Sequence, residues 1–362
     1  MNDPKISLIS LMFLGAVACK GSGTSAQSAQ STQTEPGHGA TATPADAAQP
    51  PIGKVPMHRH NVFAAALSGD GGRLVTGSVG GEVLIWTTRP LLPLRELPPP
   101  DNRGKIAALA LSPDGTEALV APDWKPAVER WDVDAGAARG ALAAHSGRTT
   151  ALAYAPSGGL AATGGADRLP APPAAGAGAG IDDEDTTPKT AAPTVRLWKQ
   201  DVRVRELTGL RGRIGAIAFN PDGSRVAAAG DGAVKVWRTT DGAELASYDL
   251  PGEAAAVGFR GDDVCAVSSE GAACFTARGP VAIAGARAPT RAAAITGPWL
   301  ASGTYDAIEV RGLDGAVRAT IPGRAYAIVG LADELWAILT DSAIPVKAGV
   351  VGTPVALKLP QP

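Results

Sequence analysis

The chain has 362 residues, a formal net charge of −2 and 45% hydrophobic residues, with aromatics at only 4%, so a core must rely on Ala, Val, Leu and Ile. That length suits one large folded domain. No basic stripe accompanies the near-neutral balance, which argues against a nucleic-acid partner.

At the N-terminus, Lys5 precedes a run of apolar and small residues from Ile6 to Ala18. The run is too short for an ordinary membrane span and fits the apolar core of a secretory signal. Ala16, Val17 and Ala18 stand directly before Cys19 and resemble a bacterial lipobox. The resemblance implies a signal peptide over 1–18, cleavage before Cys19, and lipid on its thiol and new amino group. It therefore implies an extracytoplasmic, lipid-anchored protein of the bacterial cell envelope. Ala16 replaces the usual leucine and Asp3 weakens the positive start, so an ordinary signal peptide cleaved nearby is the alternative. Lys20 after the cysteine is compatible with the inner or the outer membrane.

Residues 19–51 are rich in Ser, Thr, Gln, Ala, Pro and Gly with almost no large apolar side chain, and read as a disordered tether. About 30 such residues reach about 30 Å by random-coil scaling.

From residue 52 to 362 one phrase recurs: ALSGDGGRLVTG from Ala66, ALSPDGTEALVA from Ala110, AYAPSGGLAATG from Ala153 and AFNPDGSRVAAAG from Ala218. The turn glycines Gly71, Gly115, Gly158 and Gly223 lie 44, 43 and 65 residues apart, and an apolar strand ending in Trp86, Trp131, Trp198 or Trp237 follows each phrase. A period in the forties marks a propeller blade. Within a unit, an apolar run meets a turn such as Pro221–Asp222–Gly223, where proline presets φ and glycine tolerates the exit geometry. Carboxylates at Asp70, Asp114 and Asp222 stand in these turns, where a local hydrogen bond to the backbone explains them.

These units resemble the WD-repeat family of β-propellers, well over residues 58 to 240 and weakly to the C-terminus. His145, Thr163, Asp167 and Trp198 occupy the positions at which that family links four side chains by hydrogen bonds inside a blade. Gly80 stands where the first unit should carry Asp, and Phe275 and Arg311 take the tryptophan place of later units. The resemblance thus predicts the full hydrogen-bond set in the third blade alone. Starts near His58, Gly104, His145, Leu210, Gly252, Pro289 and Ala325 predict an all-β fold with seven four-stranded antiparallel blades, six or eight being the alternatives. Ile52 to Met57 or Pro354 to Leu359 could supply the outermost strand of the last blade.

The third unit is interrupted at 169–192 by a Pro, Gly and Ala-rich insertion with Asp182, Asp183, Glu184 and Asp185 near its middle. It reads as a surface loop, either a tolerated excursion or a docking element. With Cys19 lipidated, Cys265 and Cys274 form the remaining cysteine pair across a hairpin turn at Ser268 to Gly271; they are either bridged or reduced and buried. His58 and His60 would share a face of a strand, but no third metal ligand accompanies them, and one of them can replace the histidine that caps a blade in the family.

No nucleophile elbow, phosphate loop or zinc motif occurs, so no catalytic residue, metal or cofactor is expected. The family resemblance implies a monomeric propeller that acts as a membrane-tethered scaffold for an envelope protein partner, as in outer-membrane assembly lipoproteins. The alternative is a lactonase-like or quinoprotein-like enzyme, or a small-molecule-binding protein, using the central funnel.

Overall fold

A computed structural model describes residues 58–99, 103–167, 192–331, 334–340 and 354–358. Cys19 and the predicted signal and tether lie outside the described residues, as do residues 169–191 of the insertion.

The described residues form antiparallel sheets, each folded up and down in sequence order. The first blade is β1 (Val62–Leu67), β2 (Arg73–Ser78), β3 (Val83–Thr88) and β4 (Leu91–Glu96). The second is β5 (Ile106–Leu111), β6 (Glu117–Pro122), β7 (Val128–Asp132) and β8 (Ala137–Leu142). The third is β9 (Thr149–Tyr154), β10 (Ala161–Gly165), β11 (Thr194–Lys199) and β12 (Val202–Leu207). The fourth is β13 (Ala216–Phe219), β14 (Arg225–Gly230), β15 (Gly232–Arg238) and β16 (Glu244–Leu250). The fifth is β17 (Ala254–Arg260), β18 (Asp263–Ser268), β19 (Ala272–Thr276) and β20 (Gly279–Ala282). The sixth is β21 (Ala293–Thr296), β22 (Trp299–Gly303), β23 (Ala307–Gly312) and β24 (Val317–Pro322). A last sheet holds β25 (Arg324–Leu331), β26 (Glu334–Thr340) and β27 (Pro354–Lys358).

The expected seven four-stranded blades are therefore corrected. Six sheets are four-stranded blades, and β25-β26-β27 has three strands among the described residues. Counting units by their first strands locates the inner strand at Ala325 correctly but says nothing of how many strands follow it. Pro354–Lys358 pairs with β26 and is the outermost strand of that sheet among the described residues, as its third strand and not a fourth, and Ile52 to Met57 lie outside the described residues. The ring nonetheless closes through its inner strands. Each first strand touches the next from β1 through β5, β9, β13, β17, β21 and β25, and β25 touches β1. Closure removes the exposed inner edges that an open array would leave.

The repeated phrase builds one turn four times. The N–H of Gly71, Gly115, Gly158 and Gly223 donates to the carbonyl of Ser68, Ser112, Ala155 and Asn220 at 3.0, 2.9, 2.8 and 2.9 Å. All four glycines have φ between 67° and 74°, a left-handed conformation that glycine adopts without a Cβ clash. Asp70 accepts from Ser68 Oγ at 2.5 Å and from Gly72 N at 2.8 Å, and Asp114 accepts from Ser112 Oγ at 2.6 Å. These donors hold both carboxyls below the usual carboxylate range. The turn carboxylates are thus used locally.

The core lies in slices between neighbouring sheets. Ala64, Val75 and Ile85 of the first blade pack with Leu109, Val120 and Trp131 of the second, and Ala110 and Leu119 of the second pack with Ala161 and Trp198 of the third. A third-strand aromatic therefore faces the preceding blade, as Phe275 does towards the fourth. Second strands are covered on both faces, which is why β14 reads RVAAAG without alternation, whereas outer β12 alternates and is mostly exposed.

Candidate functional site

The geometry first separates residues that hold blades together from residues that face solvent in the centre of the ring. In the third blade, Thr163 of β10 stands opposite Arg196 of β11, and Trp198 stands opposite Ala161, two residues away on the same face as Thr163. The Trp198 indole N–H reaches diagonally to Thr163 Oγ1 at 3.1 Å, and His145 Nε2 lies 3.1 Å from the same oxygen. Asp167 is not the fourth link. It accepts from Ser146 N at 2.7 Å and pairs with Arg196 at 2.5 Å, leaving His145 Nδ1 without a hydrogen-bond partner. Burial, and then the positive charge of Arg196, push the His145 imidazole down to about 4. Arg196 is also tied to Glu206 Oε2 at 2.9 Å.

The first blade carries the same triangle, contrary to the expectation of a set in the third blade alone. His58 Nε2 lies 2.6 Å from Thr76 Oγ1, and Trp86 Nε1 donates to Thr76 Oγ1 at 2.7 Å. With Gly80 in the aspartate place, the acid comes from Glu82. Its carboxylate meets His60 Nδ1 at 2.6 Å, lies 3.9 Å from His58 Nδ1, and accepts from Ser78. Burial alone would raise the Glu82 carboxyl, but His58, Ser78 and His60 outweigh it and hold it at about 2. His58 and His60 thus converge on a carboxylate. Among the described residues no group of three His, Cys, Asp or Glu side chains is placed to hold a metal ion.

The second blade solves the same problem with ions. Val120 stands where the first and third blades have threonine, and Trp131 Nε1 donates to Glu129 Oε2 at 2.9 Å. Arg103, 1% exposed, donates to that same oxygen at 2.8 Å and stacks on the Trp131 ring at 4.8 Å. In the fifth blade Cys265 and Cys274 are directly opposed on β18 and β19, and their sulfurs are joined at 1.97 Å.

A cavity of about 950 Å³ runs through the centre of the ring, lined by all the inner strands. Its walls are largely alanine because β1, β5, β9, β13, β17 and β21 each place Ala towards it, and small side chains leave the channel open. Its two ends differ. At the end where the inner strands finish stand the Gly and Pro turns described above, with Gly69, Pro113 and Pro156 on the wall. At the end where the inner strands begin stand Arg213, Glu253, Arg291, Arg324, Phe63, Tyr305 and Tyr326. Lys105 and Arg148 directly precede β5 and β9 at that same end. Phe63 and Tyr305 are 37% and 63% exposed there, and Lys105 Nζ lies 3.4 Å from the Phe63 ring centroid.

This mouth is the functional feature that sequence reasoning misses. Its signal is present: a cation falls within three residues ahead of the inner strand in the first, second, third, fourth and sixth blades. Scattered across the chain, those cations form no stripe, and only ring closure gathers them.

The sequence model of the WD domain, G-beta repeat, matches residues 49–87 and 202–238. The chain carries WD40 repeats. These matched segments cover β1 to β3 of the first blade, β12 of the third and β13 to β15 of the fourth, and the other blades continue the same hairpin plan with weaker sequence signals. Among solved structures, that of U3-55K is similar, with a TM-score of 0.62 and 13% identity over 84% of this chain and 97% of that one. At that identity the likeness is one of fold, a β-propeller. A comparison with curated proteins gives no match.

Proposed function

We propose that this WD40 propeller is a protein-interaction scaffold held at the bacterial cell envelope by a lipid on Cys19. The scaffold reading rests chiefly on the closed ring of WD40 repeats, whose polar networks satisfy blade structure and leave both ends and the rim for partners. Fold alone does not decide function, so exposed chemistry must carry the rest. Phe63, Tyr305 and Tyr326 stand around one mouth together with arginines, and tyrosine and arginine are among the residue types that dominate interface energetics. The anchor reading is supported by the Ala16-Val17-Ala18-Cys19 sequence after an apolar run. The acidic insertion at 169–192 adds a second docking candidate, leaving the blade by way of β10 and rejoining it at β11.

The test is fractionation and cross-linked co-purification from detergent-solubilised envelopes. The intact chain should sediment with membranes, and Cys19→Ala should move it to the soluble extracytoplasmic fraction. Retention of Cys19→Ala with lipid overturns the anchor. A partner cross-linked to the intact chain at defined stoichiometry supports the scaffold, and absence of any stoichiometric partner overturns it. Deleting 169–192 then separates a docking role of the insertion from one of the ring.

A further inference from the structure

We propose that the mouth of the central channel where the inner strands begin is an oxyanion-binding site, taking a group with two negative charges such as a phosphate ester or a dicarboxylate. The inference does not rest on the scaffold reading, because a free metabolite and an acidic segment of a partner carry the same chemistry.

The ring of charge there is unbalanced. Arg148 is paired with Asp123 at 3.0 Å, and Arg291 is paired with Glu253. Lys105 and Arg213 have no such partner. Among the described residues no carboxylate lies within ion-pair distance of either head group; Lys105 sits over Phe63, and the Arg213 contact to Asp231 is made by its backbone N–H at 2.8 Å. Both side chains are half-buried. Burial lowers the proton affinity of each, and so do neighbouring cations, Arg291 and Arg148 acting on Arg213, and Arg213, Arg148 and Arg291 on Lys105. The fold therefore gathers like charges on four blades around one opening, against the attraction of Asp123 and Asp231.

Such an arrangement costs stability unless something offsets it. The opening is wide enough for a ligand to do so, since Arg213, Arg291, Thr150 and Thr290 all line the cavity of about 950 Å³. Arginine presents a planar fork of donors that matches the two oxygens of a carboxylate or phosphate, whereas the Thr150 and Thr290 hydroxyls already donate to the Ile214 and Gly303 carbonyls at 2.7 and 2.8 Å and only shape the wall. Two uncompensated cations set the charge of the ligand at minus two.

The experiment is isothermal titration of the full chain in detergent at low ionic strength with three probes: inorganic phosphate, succinate and a hexaglutamate peptide. At least one should bind at a single saturable site, and Arg213→Gln should weaken it by about tenfold or more, the loss expected for a charged hydrogen bond. Arg238→Gln, on the outer rim beside Asp241, should leave the affinity unchanged. Saturation by phosphate or succinate identifies a free anion as the source, and binding of hexaglutamate alone identifies an acidic protein segment. Arg213→Gln should also melt no lower than the unaltered chain without ligand, because it relieves repulsion. Lys105→Gln carries the same test if Arg213→Gln folds poorly. No binding of any probe, equal affinity in Arg213→Gln, or equal weakening by Arg238→Gln overturns the site.

Discussion

The first and third blades hold tryptophan in the same way and treat the adjacent acid in opposite ways. In both, a threonine on the second strand takes an indole N–H from the third strand and faces a buried histidine. In the first, the acid Glu82 is gathered in by His60, Ser78 and the nearby His58. In the third, Asp167 is drawn to Arg196 and the histidine is left neutral beside a cation. Threonine and tryptophan are fixed by strand register, which permits one diagonal contact. The acid sits at a strand end, where any nearby cation can capture it. The second blade shows the limit: with Val120 in the threonine place, Arg103 and Glu129 substitute for both neutral partners.

The largest effect should come from removing what the two blades share. Trp198→Ala and Trp86→Ala each delete a side chain at most 4% exposed and should cost about 3 to 5 kcal/mol in chemical denaturation, by the lost burial and the cavity left behind. A loss below about 1 kcal/mol at either site, within the range of ordinary surface substitutions, would show that the neighbouring blade closes over the gap.

Acid should then separate the blades. His145 binds its proton at about 4 in the folded chain against an ordinary 6.5, so the unfolded state gains protons first as pH falls. The stability contributed by neutral His145 is full above 6.5 and should decline through the window down to about 4, by up to about 3 kcal/mol. Glu82 is depressed from 4.5 to about 2, so its contribution is present above 4.5 and is lost as pH falls towards 2. His145→Asn should flatten the upper window and Glu82→Gln the lower one, read as denaturation midpoints against pH. If both variants change the same window, the acids do not divide as their partners suggest.

Much of this architecture is legible in the amino-acid sequence. Turn glycines, blade starts and the Thr163–Trp198 contact follow from a short-range pattern that repeats, and strand alternation fixes which side chains share a face. What is illegible depends on contacts between units or on the chain completing a sheet. The first-blade triangle is hidden because Gly80 breaks the motif, while Glu82, two residues on, restores an acid; the His60 ring occupies the space that a side chain at position 80 would need. The last sheet is overcounted because an inner strand at Ala325 carries no information about an outer one. The basic mouth escapes notice because its cations are far apart in sequence and adjacent only around the closed ring.

The finest comparison is between the two threonines. Contacts to Thr76 Oγ1 are 2.6 and 2.7 Å, whereas both contacts to Thr163 Oγ1 are 3.1 Å. Valine replaces the hydroxyl by a methyl group of similar volume, so Thr76→Val and Thr163→Val isolate the polar part of the triangle from its packing. Each strands a buried indole N–H and a histidine nitrogen and should cost about 1 to 3 kcal/mol. The shorter contacts, and a histidine whose other nitrogen faces a carboxylate, place Thr76→Val at the upper end of that range. His58 Nδ1 and His145 Nδ1 both lack a hydrogen-bond partner, so the longer contacts to Thr163 Oγ1 are what make Thr163→Val the smaller loss. Equal losses in paired denaturation curves would mean that the hydroxyl acts through the tryptophan alone, and that the acid beside each histidine has no bearing on the strength of the link.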